Sequence, residues 1–183
     1  MPEAARQRSD ALKNRELILR VAHDALQESP DASLNSIAKR AGIGPGTLYR
    51  HFPTREALLL EVHQQGIDRL TDAVTDALAA HPPLEAFRAW FTTLAGYVRI
   101  KHGLGEALHS AAAQDVVSAS WPPVTAAVRR LLDACAEAGE VRPGIDPVDV
   151  IMLLSCLWRT PDSPEGAAQA DRLMDLAIDG LRP

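Results

Sequence analysis

The chain has 183 residues, 46% of them hydrophobic and 4% aromatic, so it can bury a real core whose Ala-, Leu- and Val-rich make-up favours helix over sheet. No apolar run reaches the roughly 18–20 residues that cross a bilayer, and the opening stretch MPEAARQRSDALKNRE has no apolar segment; neither a membrane span nor a secretory signal is expected. The net charge of −5 would repel a polyanion, yet residues 1–60 hold nine Lys/Arg against seven Asp/Glu, and Ser33–Arg55 holds four basic residues and no acidic one.

In chain order, a first helix is expected from about Asp10 to Ser29, with Ile18, Val21, Ala22, Ala25 and Leu26 forming one buried stripe. Residues 1–9 read as a flexible basic arm. Pro30-Asp31 breaks the helix. Ser33 suits the N-cap of a short second helix with Leu34, Ile37, Ala38 and Ala41 inside. Gly42-Ile43-Gly44 ends that helix, and Pro45 can open a third at its first turn. Pro53 stops the third helix near His51. Thr54 then caps a fourth, from Arg55 to about Ala80, with Glu56 facing the positive end of its dipole. Gly66 is read as a kink or break within it.

His81-Pro82-Pro83 interrupts the pattern. Beyond it, helices are expected near 84–101, 104–117, 122–139, 147–159 and 164–181. Hairpin turns and sustained period-2 alternation are absent, so the predicted fold is all-α, in two parts. Cys135 and Cys156 lack any metal-ligand or redox spacing, and no metal or cofactor is expected. The sequence also has no HExxH, Gly-rich phosphate loop or nucleophile elbow, which argues against an enzyme.

Residues 33–52 form a unit: a short helix, a tight turn and a second short helix. Helices crossing so closely need small residues where they touch, and Ala38 and Gly42 supply them. Ile37, Ile43, Leu48 and Phe52 are spaced to form the small core beneath. The outer face of the third helix is left with Gly44, Pro45, Thr47, Tyr49, Arg50 and His51. Small groups allow close approach to a DNA groove, and the polar ones offer donors to phosphates and base edges.

At this point Ser33–Leu59 resembles the DNA-binding signature of the TetR (tetracycline-repressor) family. Ile37-Ala38, Ala41-Gly42, Gly46-Thr47-Leu48-Tyr49, His51-Phe52 and Glu56 carry the match. The resemblance implies a three-helix DNA-binding head with a helix-turn-helix, placed at 10–54, and a larger helical domain at 55–183 for effector binding and dimerisation. It implies that Thr47, Tyr49 and His51 contact phosphates or sugars, that Arg55 clamps a phosphate, and that Ser33 and Ser36 face the DNA backbone. Arg50 is the best candidate for a bidentate base contact to guanine, with a phosphate contact as the alternative, and Pro45 could touch a thymine methyl. Gly44-Pro45-Gly46 stands where many relatives carry larger polar side chains, so base reading would rest on few groups.

In the second part, Phe87, Trp90, Phe91, Leu94 and Val98 lie at helical spacing, and by default such a stripe is core. The resemblance makes an effector cavity among these helices plausible, lined by Phe87, Trp90, Phe91, Leu94, Val98, His102, Trp121 and Met152, with Arg99 and His109 as further polar groups. The effector would be a small, largely apolar molecule. The last two helices are apolar on more than one face, which calls for two partners. In the family this pair forms an intersubunit four-helix bundle, and Val150, Leu154, Leu157, Leu173, Leu176 and Ala177 are the expected dimer contacts. The function implied is a cytoplasmic bacterial regulator, a homodimer on a near-palindromic duplex, released by its effector. The alternatives are a DNA-binding regulator without a ligand, or a helical interaction module with a vestigial head.

Overall fold

The computed structural model describes the backbone at residues 2–29, 31–103, 111–161 and 163–183, and side chains from residue 12 onward except at 30, 99–113, 117 and 162. Among these residues every regular element is helical: α1 Pro2–Glu28, α2 Leu34–Arg40, α3 Pro45–His51, α4 Arg55–Ala80, α5 Pro83–Gly103, α6 Ala111–Ala119, α7 Trp121–Glu137, α8 Pro147–Leu154 and α9 Pro164–Leu181. A 3-10 turn at Leu157–Arg159 follows α8. The fold is all-α. It divides into two compact units, residues 1–65 with 100–116, and residues 66–99 with 117–183.

The first unit encloses a core of Ile18, Leu19, Ala22, Ala25 and Leu26 from α1, Leu34, Ile37 and Ala38 from α2, and Leu48 and Phe52 from the α3 segment. Leu58, Leu59 and Val62 close it. Those three lie on α4, beyond the expected head boundary at 54, because the short α2 and α3 need a further apolar wall. Of the expected arm at 1–9, the described residues 2–9 are helical, α1 starting at Pro2. Pro is suited to a first helical position, and Ala4, Ala5, Arg6, Gln7 and Arg8 are all good helix formers.

In the second unit, Phe87, Trp90, Phe91 and Leu94 of α5 are buried with Ile67, Leu70 and Val74 of α4 and with residues of α7, α8 and α9. The Phe87 and Phe91 rings lie 4.7 Å apart, and Trp90 meets Phe91 edge-on at 5.2 Å. Burying an indole strands its N–H unless a partner is found; Trp90 Nε1 donates to the Leu70 carbonyl at 2.8 Å. Gly66 does not break α4, which is continuous from Arg55 to Ala80. Instead the ring of Tyr97 lies where a Cβ at Gly66 would stand, so this glycine is a seat for an aromatic ring on α5. Burial pushes the Tyr97 hydroxyl well above its ordinary pKa.

Helix α7 ends at Glu137, and Gly139, with φ 74°, turns the chain just before Glu140. The Glu140 carboxylate then accepts from the Leu84 N–H at 3.1 Å, satisfying one of the orphan donors at the start of α5. Arg142 closes the other end, donating from its backbone to Leu181 O at 2.9 Å and from its guanidinium to Gly180 O at 2.7 Å. A cation there also suits the negative end of α9. Helix α8 stops at Leu154, short of the expected 159, and the chain tightens into the 3-10 turn, where Thr160 Oγ1 donates to Leu157 O at 2.7 Å. Of the helix expected at 104–117, residues 104–110 lie outside the described set and α6 spans Ala111–Ala119.

Candidate nucleic-acid interface

The helix pair is built by local chemistry. Ser33 adopts extended backbone and its Oγ accepts from the Ser36 N–H at 3.1 Å, while Ser36 Oγ donates to the Ser33 carbonyl at 2.7 Å. These reciprocal bonds start α2. At its other end Ile43 N donates to Ala38 O at 3.0 Å and Gly42 N to Lys39 O at 3.2 Å, the paired bonds of a Schellman turn. Gly42 has φ 69°, the left-handed region where a Cβ is penalised. Gly44 caps α3 with φ −67° and Pro45 follows at the first turn. Thr54 Oγ1 accepts from Ala57 N at 3.1 Å to begin α4.

Leu48 and Phe52 point inward, fully buried. Gly44, Pro45, Gly46, Tyr49 and Arg50 are exposed, and Thr47 and His51 are half-buried. Tyr49 is 45% exposed and is therefore no core aromatic. Ser33 and Ser36 are exposed beside the start of α2. The outward face of α3 thus presents small groups, a phenol, a guanidinium and partly an imidazole, without a carboxylate.

Positive charge here is differently available at each residue. Arg40 is engaged in a two-pronged pair with Glu28 of α1 at 2.5 and 2.6 Å. That fork holds the Glu28 carboxyl below the ordinary carboxylate range. Lys39 and Arg50 are exposed and, among the described residues, enter no ion pair. Arg55 is half-buried, and its Nε donates to the Ala32 carbonyl at 3.4 Å, so it braces the loop that leads into α2.

Gly46, noted in the sequence only as part of the signature, was not named among the outer-face residues, yet it is exposed on α3. Nothing lies within 4 Å of where its Cβ would be, and its φ is not positive. The same is true of Gly44. The fold itself therefore has no need of glycine at either position, in contrast to Gly42. Arg15 of α1 was not singled out in the sequence; its guanidinium reaches the His51 carbonyl, 36 residues away, at 3.5 Å.

The second unit corrects several expectations. Phe87, Trp90, Phe91 and Leu94 are buried in the core of this unit, with the three rings packed on one another. Val98 is half-buried against that core. Trp121 is 45% and Met152 64% exposed, and both lie at the surface. His102, Arg99 and His109 fall outside the residues whose side chains are described. A cavity of about 490 Å³ does occur elsewhere, between the outer face of α5 and the start of α9, with Glu85, Arg88, Thr92, Ser163, Asp171 and Met174 among its lining.

Of the expected dimer contacts, Val150, Leu154, Leu157 and Ala177 are buried within the chain's own core, Leu173 is half-buried and Leu176 is 70% exposed. The apolar groups facing outward on α8 and α9 are instead Val148, Met152, Leu153 and Leu176. Of these, Leu153 and Leu176 line a groove of about 710 Å³ whose walls also include Cys156 and Leu173. Among the described residues no group of His, Cys, Asp and Glu is placed to hold a metal ion, and no helix is long and apolar enough to cross a membrane.

Residues 18–62 match the family described as bacterial regulatory proteins, tetR family, and residues 82–183 match the SbtR-like transcriptional regulator C-terminal domain. The structure is similar to that of a TetR transcriptional regulator from Streptomyces coelicolor, with a TM-score of 0.77 and 41% identity over 92% of this chain and 98% of that one. It is also similar to a TetR transcription regulatory protein from Mycobacterium vanbaalenii, with a TM-score of 0.76 and 30% identity over 97% and 99%. An HTH-type transcriptional regulator from Staphylococcus aureus is 36% identical over 77 residues, a match spanning 40% of this chain and 40% of that protein.

Proposed function

The chain belongs to the TetR family of DNA-binding transcriptional regulators, a family of regulators rather than enzymes, and from that premise we propose that it is a homodimeric, effector-responsive repressor of bacterial transcription. The observation that carries the DNA-binding part is the outward face of α3, Gly44 to His51, free of carboxylates and bordered by two glycines the fold does not require. On this reading Thr47, Tyr49 and His51 grip phosphates or sugars and fix α3 in the major groove. Ser33 and Ser36 meet the backbone from α2. Arg50 is the base-reading side chain, aimed at guanine, with Pro45 against a thymine methyl. Arg55 clamps a phosphate and braces the Ala32 loop together.

Dimerisation is proposed through α8 and α9, whose exposed Val148, Met152, Leu153 and Leu176 would otherwise leave four large apolar side chains in water. A two-fold pair would set two α3 helices about one DNA turn apart, roughly 34–36 Å, or somewhat more, and so select a near-palindrome. The heads occupy residues 10–54 extended by the first turns of α4; the remainder carries dimerisation and effector response. The protein works in the cytoplasm on chromosomal DNA.

For effector release, a ligand favouring a conformation with wrongly spaced heads lowers operator occupancy by population shift. A coupling of about 1–3 kcal/mol changes affinity roughly 5- to 150-fold. An effector seated among the α5 aromatics would have to part Phe87, Trp90 and Phe91. Their closed packing favours a second reading, a regulator whose DNA affinity is not set by a ligand. A mobility-shift assay on DNA flanking its own gene, with and without candidate apolar compounds, separates the two. Binding that no compound relieves supports the second reading; absence of sequence-preferring binding defeats both.

A further inference from the structure

Arg15 of α1 joins three helices of the first unit. Its Nη2 pairs with Glu61 Oε2 of α4 at 3.1 Å. Its Nη1 donates to the His51 carbonyl, at the end of α3, at 3.5 Å. The guanidinium carbon stands 4.6 Å from the centroid of the Phe52 ring, and Phe52 is the buried residue that caps α3. One planar cation therefore touches the carbonyl, the capping ring and the neighbouring helix.

We propose that Arg15 is a positioning residue for DNA binding, setting the angle at which α3 leaves the head; this rests on the DNA-binding reading above. Helix α3 has seven residues, too few to hold its own axis in water, so its direction comes from what it packs against. Leu48 and Phe52 seat its inner side. At its C-terminal end the exposed carbonyls carry the negative end of the dipole, and a cation is favoured there. The guanidinium suits this place better than an ammonium, being flat enough to lie on the Phe52 ring while its N–H groups point two ways. With the Arg15 side chain 36% and Glu61 39% exposed, the pair adds little to global stability. Its effect falls on the geometry of the α3 end.

The proposal differs from a direct phosphate contact in two readouts. A lost phosphate contact lowers the salt dependence of binding by about 0.9 per contact, whereas lost positioning weakens binding at unchanged slope. Removing the Glu61 charge should strengthen attraction for a polyanion if only long-range charge matters, but should weaken binding if Glu61 holds Arg15 in place. The experiment titrates full-length wild type, Arg15→Gln, Arg15→Lys and Glu61→Gln against a duplex that wild type selects from a random-sequence library. It is run across salt concentrations, at a temperature where circular dichroism finds every variant folded.

The expected result is a roughly tenfold loss of affinity for Arg15→Gln at unchanged salt slope, intermediate affinity for Arg15→Lys, and weakened binding for Glu61→Gln. Amide exchange at Leu48–Phe52 should rise in Arg15→Gln, while that of the buried face of α1 stays as in wild type. Arg15→Gln binding like wild type, a slope reduced by about one, or Glu61→Gln binding as tightly as wild type or tighter would each overturn the proposal. Wild type selecting no duplex would instead sink the DNA-binding reading, and the exchange measurement would still judge whether Arg15 orders α3.

Discussion

Replacing Gly46 by alanine should raise stability and lower DNA affinity in the same molecule. Gly46 is the second residue of α3, with no positive φ and nothing within 4 Å of a built Cβ. Alanine there meets no objection from the fold and removes the backbone-entropy penalty of glycine, about 0.5–1 kcal/mol. For a chain of this size that corresponds to a rise in Tm of about 1–4 °C. On DNA the added methyl stands on the face proposed to enter the groove and holds α3 away. Losing one good set of base contacts costs about 1–3 kcal/mol, so affinity should fall by roughly an order of magnitude. Gly42→Ala is the contrasting control: its surroundings are equally open, but φ is 69°. Left-handed backbone costs about 1–2 kcal/mol, partly offset by about 0.4–1 kcal/mol from restricting the unfolded chain. In that variant Tm and affinity should fall together. Thermal melts and fluorescence-anisotropy titrations on a wild-type-selected duplex measure both quantities. If Gly46→Ala binds as tightly as wild type, the close-approach argument for the glycine pair is wrong.

Arg50→Ala should relax sequence preference, whereas Arg55→Ala should weaken all sites alike and also lower Tm, since Arg55 braces Ala32; parallel selection experiments that find the two variants alike would refute this division of roles. Leu176→Asp should leave the fold intact and shift sedimentation from dimer to monomer, while Leu154→Ala, at a fully buried site, should cost about 2–5 kcal/mol of stability. An unchanged dimer in Leu176→Asp would move the interface elsewhere. Burial, with Glu140 nearby, pushes the Cys135 thiol up to about 11, so alkylation at pH 8 followed by mass spectrometry should label Cys156 well before Cys135. The same shift favours the folded state fully below the ordinary thiol pKa, near 8.5, and that contribution is lost as pH rises toward 11. Denaturation midpoints should therefore decline across that window, and a Cys135→Ala variant should show less of the decline.

The head was legible because its punctuation is local. Ser33, Gly42, Pro45 and Thr54 each act within a few residues, and all four do in the structure what their chemistry suggests. Gly66 misled because glycine inside a helical pattern has two explanations, and the ring of Tyr97 that decides between them lies on another helix. The outward apolar residues of α8 and α9 were not separated from the buried ones for a related reason. Helix α8 is apolar at Val148, Val150, Ile151, Met152, Leu153 and Leu154, so periodicity says only that two faces are apolar. Which one the chain keeps for itself depends on how α8 sits against α7 and α9. The aromatic stripe was correctly found as a face, yet spacing along one helix does not reveal whether side chains or a ligand fill the space opposite. Arg15, Arg40 and Arg55 look alike as basic residues in sequence. Only their partners separate a strut, a surface fork and a loop brace.

The most direct test of the account is anisotropy titration of the full-length protein against its selected duplex and against a scrambled duplex of equal length, from 50 to 200 mM salt. The account predicts one dimer per selected site, a clear preference over the scrambled duplex, and affinity for both falling by orders of magnitude as salt rises, as expected when phosphate contacts dominate. Equal binding to the two duplexes, or binding insensitive to salt, would contradict it.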